Sequence, residues 1–138
     1  MIVKGITIHN TGNDLTAREN FDILYHNRQT KLCHYLIDEC NIIRCCPESE
    51  EANHTGKGYD FGNKFTLAIE ICRSTCDEEL YLKAQAKAVS FIKDLMKKYD
   101  LTVDDLYFHR DFDISNDCPH RILEIYKTKG EFINGCFI

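Results

Sequence analysis

The run "KGITIHN" alternates apolar Ile6 and Ile8 with Thr7 and His9, the period of a half-buried β-strand, and so places His9 on the face opposite the isoleucines. Thr16-Ala17-Arg18-Glu19 has the form of a capping box. Ala17, Phe21, Leu24 and Tyr25 follow at helical spacing, which predicts a helix over Thr16 to Asn27. "LCHYLID" and "IIRCC" read as two strands joined across a turn near Glu39 to Asn41, and "TLAIEIC" as a third strong strand. From Glu78 to Tyr99 the positions Ala88, Phe91, Ile92, Leu95, Met96 and Tyr99 make one apolar stripe, with acids at the start and Lys97-Lys98 at the end to suit the helix dipole. Thr102 to Asp105 repeats a capping signal for a short turn, and "LYFH" is a last short strand that delivers His109 to a polar loop. Strands and helices alternate without a strict βαβ rhythm. The expected fold is therefore α/β (mixed), a central mixed sheet flanked by helices.

Composition narrows the class. A chain of 138 residues, 43% hydrophobic, is long enough for one cored domain and too short for two, and no repeat or Pro/Gly/Ser linker divides residues 1–138. A formal net charge of -5 without a long basic run argues against a nucleic-acid surface, which needs clustered Lys and Arg. The start "MIVKGITIHNTGND" lacks the apolar core of a signal peptide or a membrane span, so the expectation is a chain made in the cytoplasm with no membrane insertion. Eight cysteines would suit a disulfide scaffold in a shorter chain poor in core. Here they read as reduced thiols, most of them small buried hydrophobes. Cys45-Cys46 are adjacent and on a strand would face opposite ways; Cys72 and Cys76 are a C-x3-C pair with no second pair at zinc-finger spacing.

The stretch "YFHRDFDISNDCPHR" places a histidine at a strand end, a polar loop of eight residues, then Cys-Pro. A zinc site needs imidazole and thiolate brought together, and His9, His109 and Cys118 supply three such groups, leaving a fourth position open as in catalytic zinc sites. The ordinary alternative for either histidine taken singly is a strand-end imidazole bonded to its neighbours. Glu70 is the second candidate. In "TLAIEIC" Leu67, Ile69 and Ile71 take one face and Ala68, Glu70 and Cys72 the other. A buried unpaired carboxylate costs several kcal/mol and so calls for a partner or a task, such as general base beside an activated water. A solvated or lysine-paired glutamate on an edge strand is the competing reading.

The ordered set "GITIHNTGN", "HYLID", "ANHTG", "LAIEIC" and "HRDFDISNDCPHRI" resembles the zinc-dependent N-acetylmuramoyl-L-alanine amidases of the type-2 amidase family, relatives of peptidoglycan recognition proteins and phage lytic amidases, from about Val3 to Ile125. The resemblance implies zinc on His9, His109 and Cys118, an acid/base role for Glu70, and a place in the substrate cleft for His54. His34 matches a His-Tyr strand where a structural role is as natural as a catalytic one. Two departures stand out. Cys33 occupies the position where many members carry a tyrosine beside the substrate, which favours the Glu70 form of the mechanism. Asn116 stands where many carry an oxyanion-stabilising lysine; its amide, or neighbouring His120, is the expected replacement.

The implied activity is hydrolysis of the bond between N-acetylmuramic acid and L-alanine in peptidoglycan, by a phage or prophage endolysin catalytic domain or a bacterial autolysin, acting on the wall after holin-dependent release or lysis. Two other classes account for parts of the sequence. A noncatalytic peptidoglycan-binding module would share the fold without needing all three ligands. A redox or zinc-storage protein would use the cysteines but leave His9, Glu70 and His54 without a role. Metal content measured together with amidase activity separates the three.

Overall fold

A computed structural model describes residues 1–26, 31–56 and 60–138. Five strands, β1 (Gly5–Asn10), β2 (Tyr35–Ile37), β3 (Ile42–Arg44), β4 (Thr66–Ile71) and β5 (Leu106–Phe108), form one sheet in the order β3-β2-β4-β1-β5. All neighbours are parallel except β2 and β3, which form the expected antiparallel pair. Its turn is held by Asp38, whose Oδ1 accepts from the backbone N–H of Cys40 at 2.8 Å and Asn41 at 2.6 Å. The mixed sheet flanked by helices is as expected, and no helix among the described residues is long and apolar enough to cross a membrane.

Among the described residues six α-helices accompany the sheet: α1 (Ala17–Tyr25), α2 (Asp60–Phe65), α3 (Glu78–Tyr99), α4 (His109–Phe112), α5 (His120–Tyr126) and α6 (Lys129–Cys136). Thr16 caps α1 through the predicted capping box with Glu19, and the helix ends at Tyr25; Asn27, the expected last residue, lies outside the described residues. α3 carries the predicted stripe onto Ile6, Ile8, Leu67, Ile69 and Ile71, joined by Ile122 of α5 and Phe132 of α6. Phe21 and Leu24 of α1 pack on the opposite face against Leu36, Ala68 and Cys72. The Thr102 turn forms as read, a single 3-10 turn over Val103–Asp105.

Three expectations need correction. β1 is buried on both faces, not half-buried, because it lies between β4 and β5 with packing above and below. Its polar side chains tolerate this by pairing: Thr7 Oγ1 meets Thr66 Oγ1 at 2.7 Å, which avoids the 1–3 kcal/mol penalty of an unpaired buried hydroxyl. Second, β3 ends at Arg44, so Cys45 and Cys46 follow the strand; Cys45 Sγ lies 3.6 Å from Cys33 Sγ, and Cys46 Sγ meets the Cys33 carbonyl. Third, all eight cysteines are free, but only Cys33, Cys46 and Cys72 are buried. The others are partly covered or, in Cys40, exposed.

Candidate active site and metal centre

The C-terminal ends of parallel strands gather the chemistry, the usual location of a site in an α/β sheet. His9 is the fifth residue of β1, Glu70 the fifth of β4, and His109 follows β5 directly. Cys118 is returned to them by a loop folded on its own side chains. Asp113 Oδ1 accepts from Ser115, Asn116 Oδ1 accepts from the Cys118 N–H at 2.9 Å, and the Cys118 carbonyl accepts from the Arg110 N–H of α4 at 3.0 Å. The loop thus satisfies an otherwise free donor in the first turn of α4 while closing on β1. The Cys118–Pro119 peptide is cis.

His9, His109 and Cys118 present ligand-type atoms all within 4.8 Å of one another, the one such metal-type cluster among the described residues. His9 Nδ1 lies 3.5 Å from Cys118 Sγ, and the rings of His9 and His109 stand edge to face with centroids 5.0 Å apart. Burial holds the His9 pKa well below its usual value, aided by the imidazoles of His54 and His109. His109 is also lowered by burial, against the opposing pull of Asp113 and a Thr55 backbone hydrogen bond. Both rings are therefore neutral and have a lone pair to give. Burial, then the Glu70 carboxylate, pushes the Cys118 thiol up to about 12, while the Asn10 N–H donates to its sulfur at 3.4 Å and works the other way.

Glu70 is in register with His9 across β4 and β1 and with Leu36 across β4 and β2. The residue keeps partial exposure, yet its Oε2 is buried with no hydrogen-bond partner among the described residues. Burial pushes its pKa up to about 7. Its side chain helps line a cavity of about 170 Å³ together with Thr11, Asn13, Asn20, Ile23 and Leu24. Larger hollows, about 380 Å³ each, lie along α3 on the other side of the sheet, away from this chemistry.

The other sequence candidates fall in different places. His54 is 7% exposed; its Nδ1 is 3.0 Å from His9 Nε2, and its Nε2 is 3.1 Å from the Gly62 carbonyl. Asn63 Oδ1 accepts from the N–H groups of His54 and Thr55 and fixes that loop. Cys33 is buried under α1, where the Tyr25 hydroxyl accepts from its N–H at 3.1 Å. His34 bridges the β4 backbone and the Glu50 carbonyl, with Nδ1 accepting from the Ala68 N–H and Nε2 donating to Glu50. His120 is the partly exposed first residue of α5.

Asn10 was missing from the sequence candidates. Its Oδ1 accepts from the N–H groups of Arg121 at 3.0 Å and Ile122 at 3.2 Å, capping α5 from another strand because Pro119 has no capping side chain. Its Nδ2 donates to Tyr81 Oη at 3.1 Å. A carboxamide at the end of a buried strand, next to a candidate ligand, was the available signal.

The family model described as N-acetylmuramoyl-L-alanine amidase matches residues 1–121. N-acetylmuramoyl-L-alanine amidase XlyB of Bacillus subtilis (strain 168) is 35% identical over 124 residues, which span 89% of this chain and 39% of that protein. N-acetylmuramoyl-L-alanine amidase CwlA of the same organism is 34% identical, covering 89% of this chain and 45% of its own length, so the chain spans less than half of these relatives. Among solved structures, that of PlyL superposes with a TM-score of 0.88 at 30% identity, covering 99% of this chain and 84% of that one. The match reaches from β1 into α5 and takes in every strand of the sheet, His9, Glu70, His109 and Cys118 among its residues, and the chain belongs to the N-acetylmuramoyl-L-alanine amidase family.

Proposed function

We propose that this chain is a zinc-dependent catalytic domain of endolysin type that hydrolyses the amide bond between N-acetylmuramic acid and L-alanine in bacterial peptidoglycan. The observation that carries the reading is the placement of Glu70, whose Oε2 is buried with no hydrogen-bond partner among the described residues, in register with His9, whose other side meets Cys118 and His109. The donor set fits zinc. Tetrahedral Zn–N and Zn–S bonds of ordinary length put ligand atoms about 3.6 Å apart, and His9 Nδ1 and Cys118 Sγ stand 3.5 Å apart. Two neutral imidazoles and one thiolate leave a net positive centre with an open position, suited to an acidic stem peptide.

His9, His109 and Cys118 would hold the zinc ion, which would supply Lewis-acid polarisation of the scissile carbonyl and a lowered pKa for water. Glu70 takes the proton of the attacking water and returns it to the departing L-alanine amine, the two-way task of a general acid/base. The N–H of Asn10 donates to Cys118 and steadies its negative charge. Asn116 uses its Oδ1 to hold the Cys118 N–H, so its Nδ2 group, with His120 at the start of α5, is the donor assigned to charge developing on the carbonyl oxygen. Cys33, buried against Ala17, Leu36, Ala68 and Cys72, is given a packing role instead of a contact with substrate. The site of action is the cell wall, reached after release from the cytoplasm. Treatment with a chelator is expected to abolish clearing of purified walls, and zinc to restore it; retained wall binding without hydrolysis in the zinc-loaded protein would instead indicate a noncatalytic module.

A further inference from the structure

A line of hydrogen-bonding atoms runs from the backbone of α2 to the Cys118 thiol, and its first member determines all the others. The Gly62 carbonyl oxygen has no hydrogen to give, and it lies 3.1 Å from His54 Nε2. Thr66 Oγ1, 3.5 Å from the same nitrogen, directs its own proton to that carbonyl at 2.7 Å and so also faces the ring as an acceptor. His54 Nε2 therefore carries a hydrogen. A second hydrogen, on Nδ1, would bury a charge with no acid among the ring's hydrogen-bond partners in the described residues, which are His9, the Gly62 carbonyl and Thr66. Nδ1 thus holds a lone pair and accepts from His9 Nε2 at 3.0 Å. With its hydrogen on Nε2, His9 keeps a bare Nδ1, the nitrogen 3.5 Å from Cys118 Sγ.

We propose that His54 is a positioning residue: anchored on the Gly62 carbonyl, it fixes His9 as the Nε2–H tautomer and turns the Nδ1 lone pair toward a divalent cation shared with His109 and Cys118. The cation in this statement rests on the reading given above; the tautomer does not. The supports of His54 are specific. A Cβ on Gly62 would come within 2.4 Å of Thr55 Cγ2, so glycine lets α2 approach closely enough for its carbonyl to reach the ring. Asn63, the next residue, holds the backbone N–H of His54 at 2.8 Å. Outer partners of this kind set ligand orientation and basicity, and their loss typically weakens metal binding about 10–100-fold.

Long-range proton–nitrogen correlation spectra of the metal-free, ¹⁵N-labelled chain report the tautomer directly. The expected result is a protonated Nε2 and bare Nδ1 on His9; a hydrogen on His9 Nδ1 overturns the proposal. Zinc affinity, measured by competition with a chromophoric chelator, tests the consequence. His54→Leu removes the acceptor and should weaken zinc about 10–100-fold, while His54→Asn, whose amide oxygen takes the place of Nδ1, should recover most of the loss. Equal affinity of His54→Leu and the unmutated chain overturns the positioning role. Circular dichroism checks the fold of each variant, and the tautomer measured on the unmutated chain decides even where His54→Leu does not fold. Failure of the unmutated chain to bind zinc, with His9 in the Nε2–H form, would remove the metal reading and leave the tautomer assignment standing.

Discussion

His9 and Glu70 are register partners on adjacent parallel strands, β1 and β4, and both lie on the face away from the isoleucine core. One is a neutral imidazole facing a thiol, the other a carboxylate with a buried, unpartnered oxygen. The pairing separates the proposed ligand from the proposed base, so the two can be removed independently. Glu70→Ala is expected to keep its fold and its zinc while wall hydrolysis falls by about two to four orders of magnitude. Elemental analysis and a turbidity assay on the same preparation check both halves.

Glu70 also gives the metal-free protein a pH signature. Its folded pKa of about 7 exceeds the usual 4.5, so between those values the folded state binds more protons than the unfolded one. This contribution is fully favourable below pH 4.5, and is lost as pH rises through 7. The loss is at most ~3 kcal/mol for a shift of this size. Urea unfolding of the metal-free chain and of Glu70→Gln at pH 5 and pH 8 should therefore differ in slope against pH, with Gln removing the decline. Parallel profiles would deny that the carboxyl is buried unpaired.

Asn10 links β1 to the Cys118 loop and α5. Asn10→Ala removes a cap on two backbone N–H groups and the bond to Tyr81, for an expected loss of about 1–2 kcal/mol together with weaker zinc binding. Asn10→Asp keeps the accepting oxygen and should retain most of the stability. Denaturant midpoints for the pair test this, and an Asp variant as unstable as the Ala variant would refute the cap.

Much of this was legible in the chain because particular residues were out of place in their local pattern. His9 and His109 end apolar runs, Glu70 interrupts one, and Cys118 precedes a proline, so the residue types pointed to the strand ends before any contact was known. The full burial of β1 was not legible. Thr7 and His9 look like a solvent face, and only Thr66 and His54, distant in sequence, make their burial tolerable. α2 escaped notice because six residues containing Gly62 carry little helical signal. The fates of the cysteines depend on packing from elsewhere: Cys33 and Cys72 meet α1, while Cys40 sits on the exposed turn of the β2–β3 pair.

Alkylation without reductant tests the cysteine placement. Mass spectrometry should show eight free thiols, with Cys40 labelled fast and Cys33, Cys46 and Cys72 slow. Zinc loading should protect Cys118, and Cys118→Ser should retain metal much more weakly. Zinc retention unchanged by that substitution would count against the thiol as a ligand.

The most direct test of the central claim is the chemistry of the products. Purified peptidoglycan digested by the zinc-loaded chain should gain free amino groups on L-alanine and no new reducing sugar ends if, as proposed, the bond cut is the amide to N-acetylmuramic acid. New reducing ends without new L-alanine amino groups would identify a glycosidase and contradict the assignment of His9, Glu70, His109 and Cys118 to amide hydrolysis.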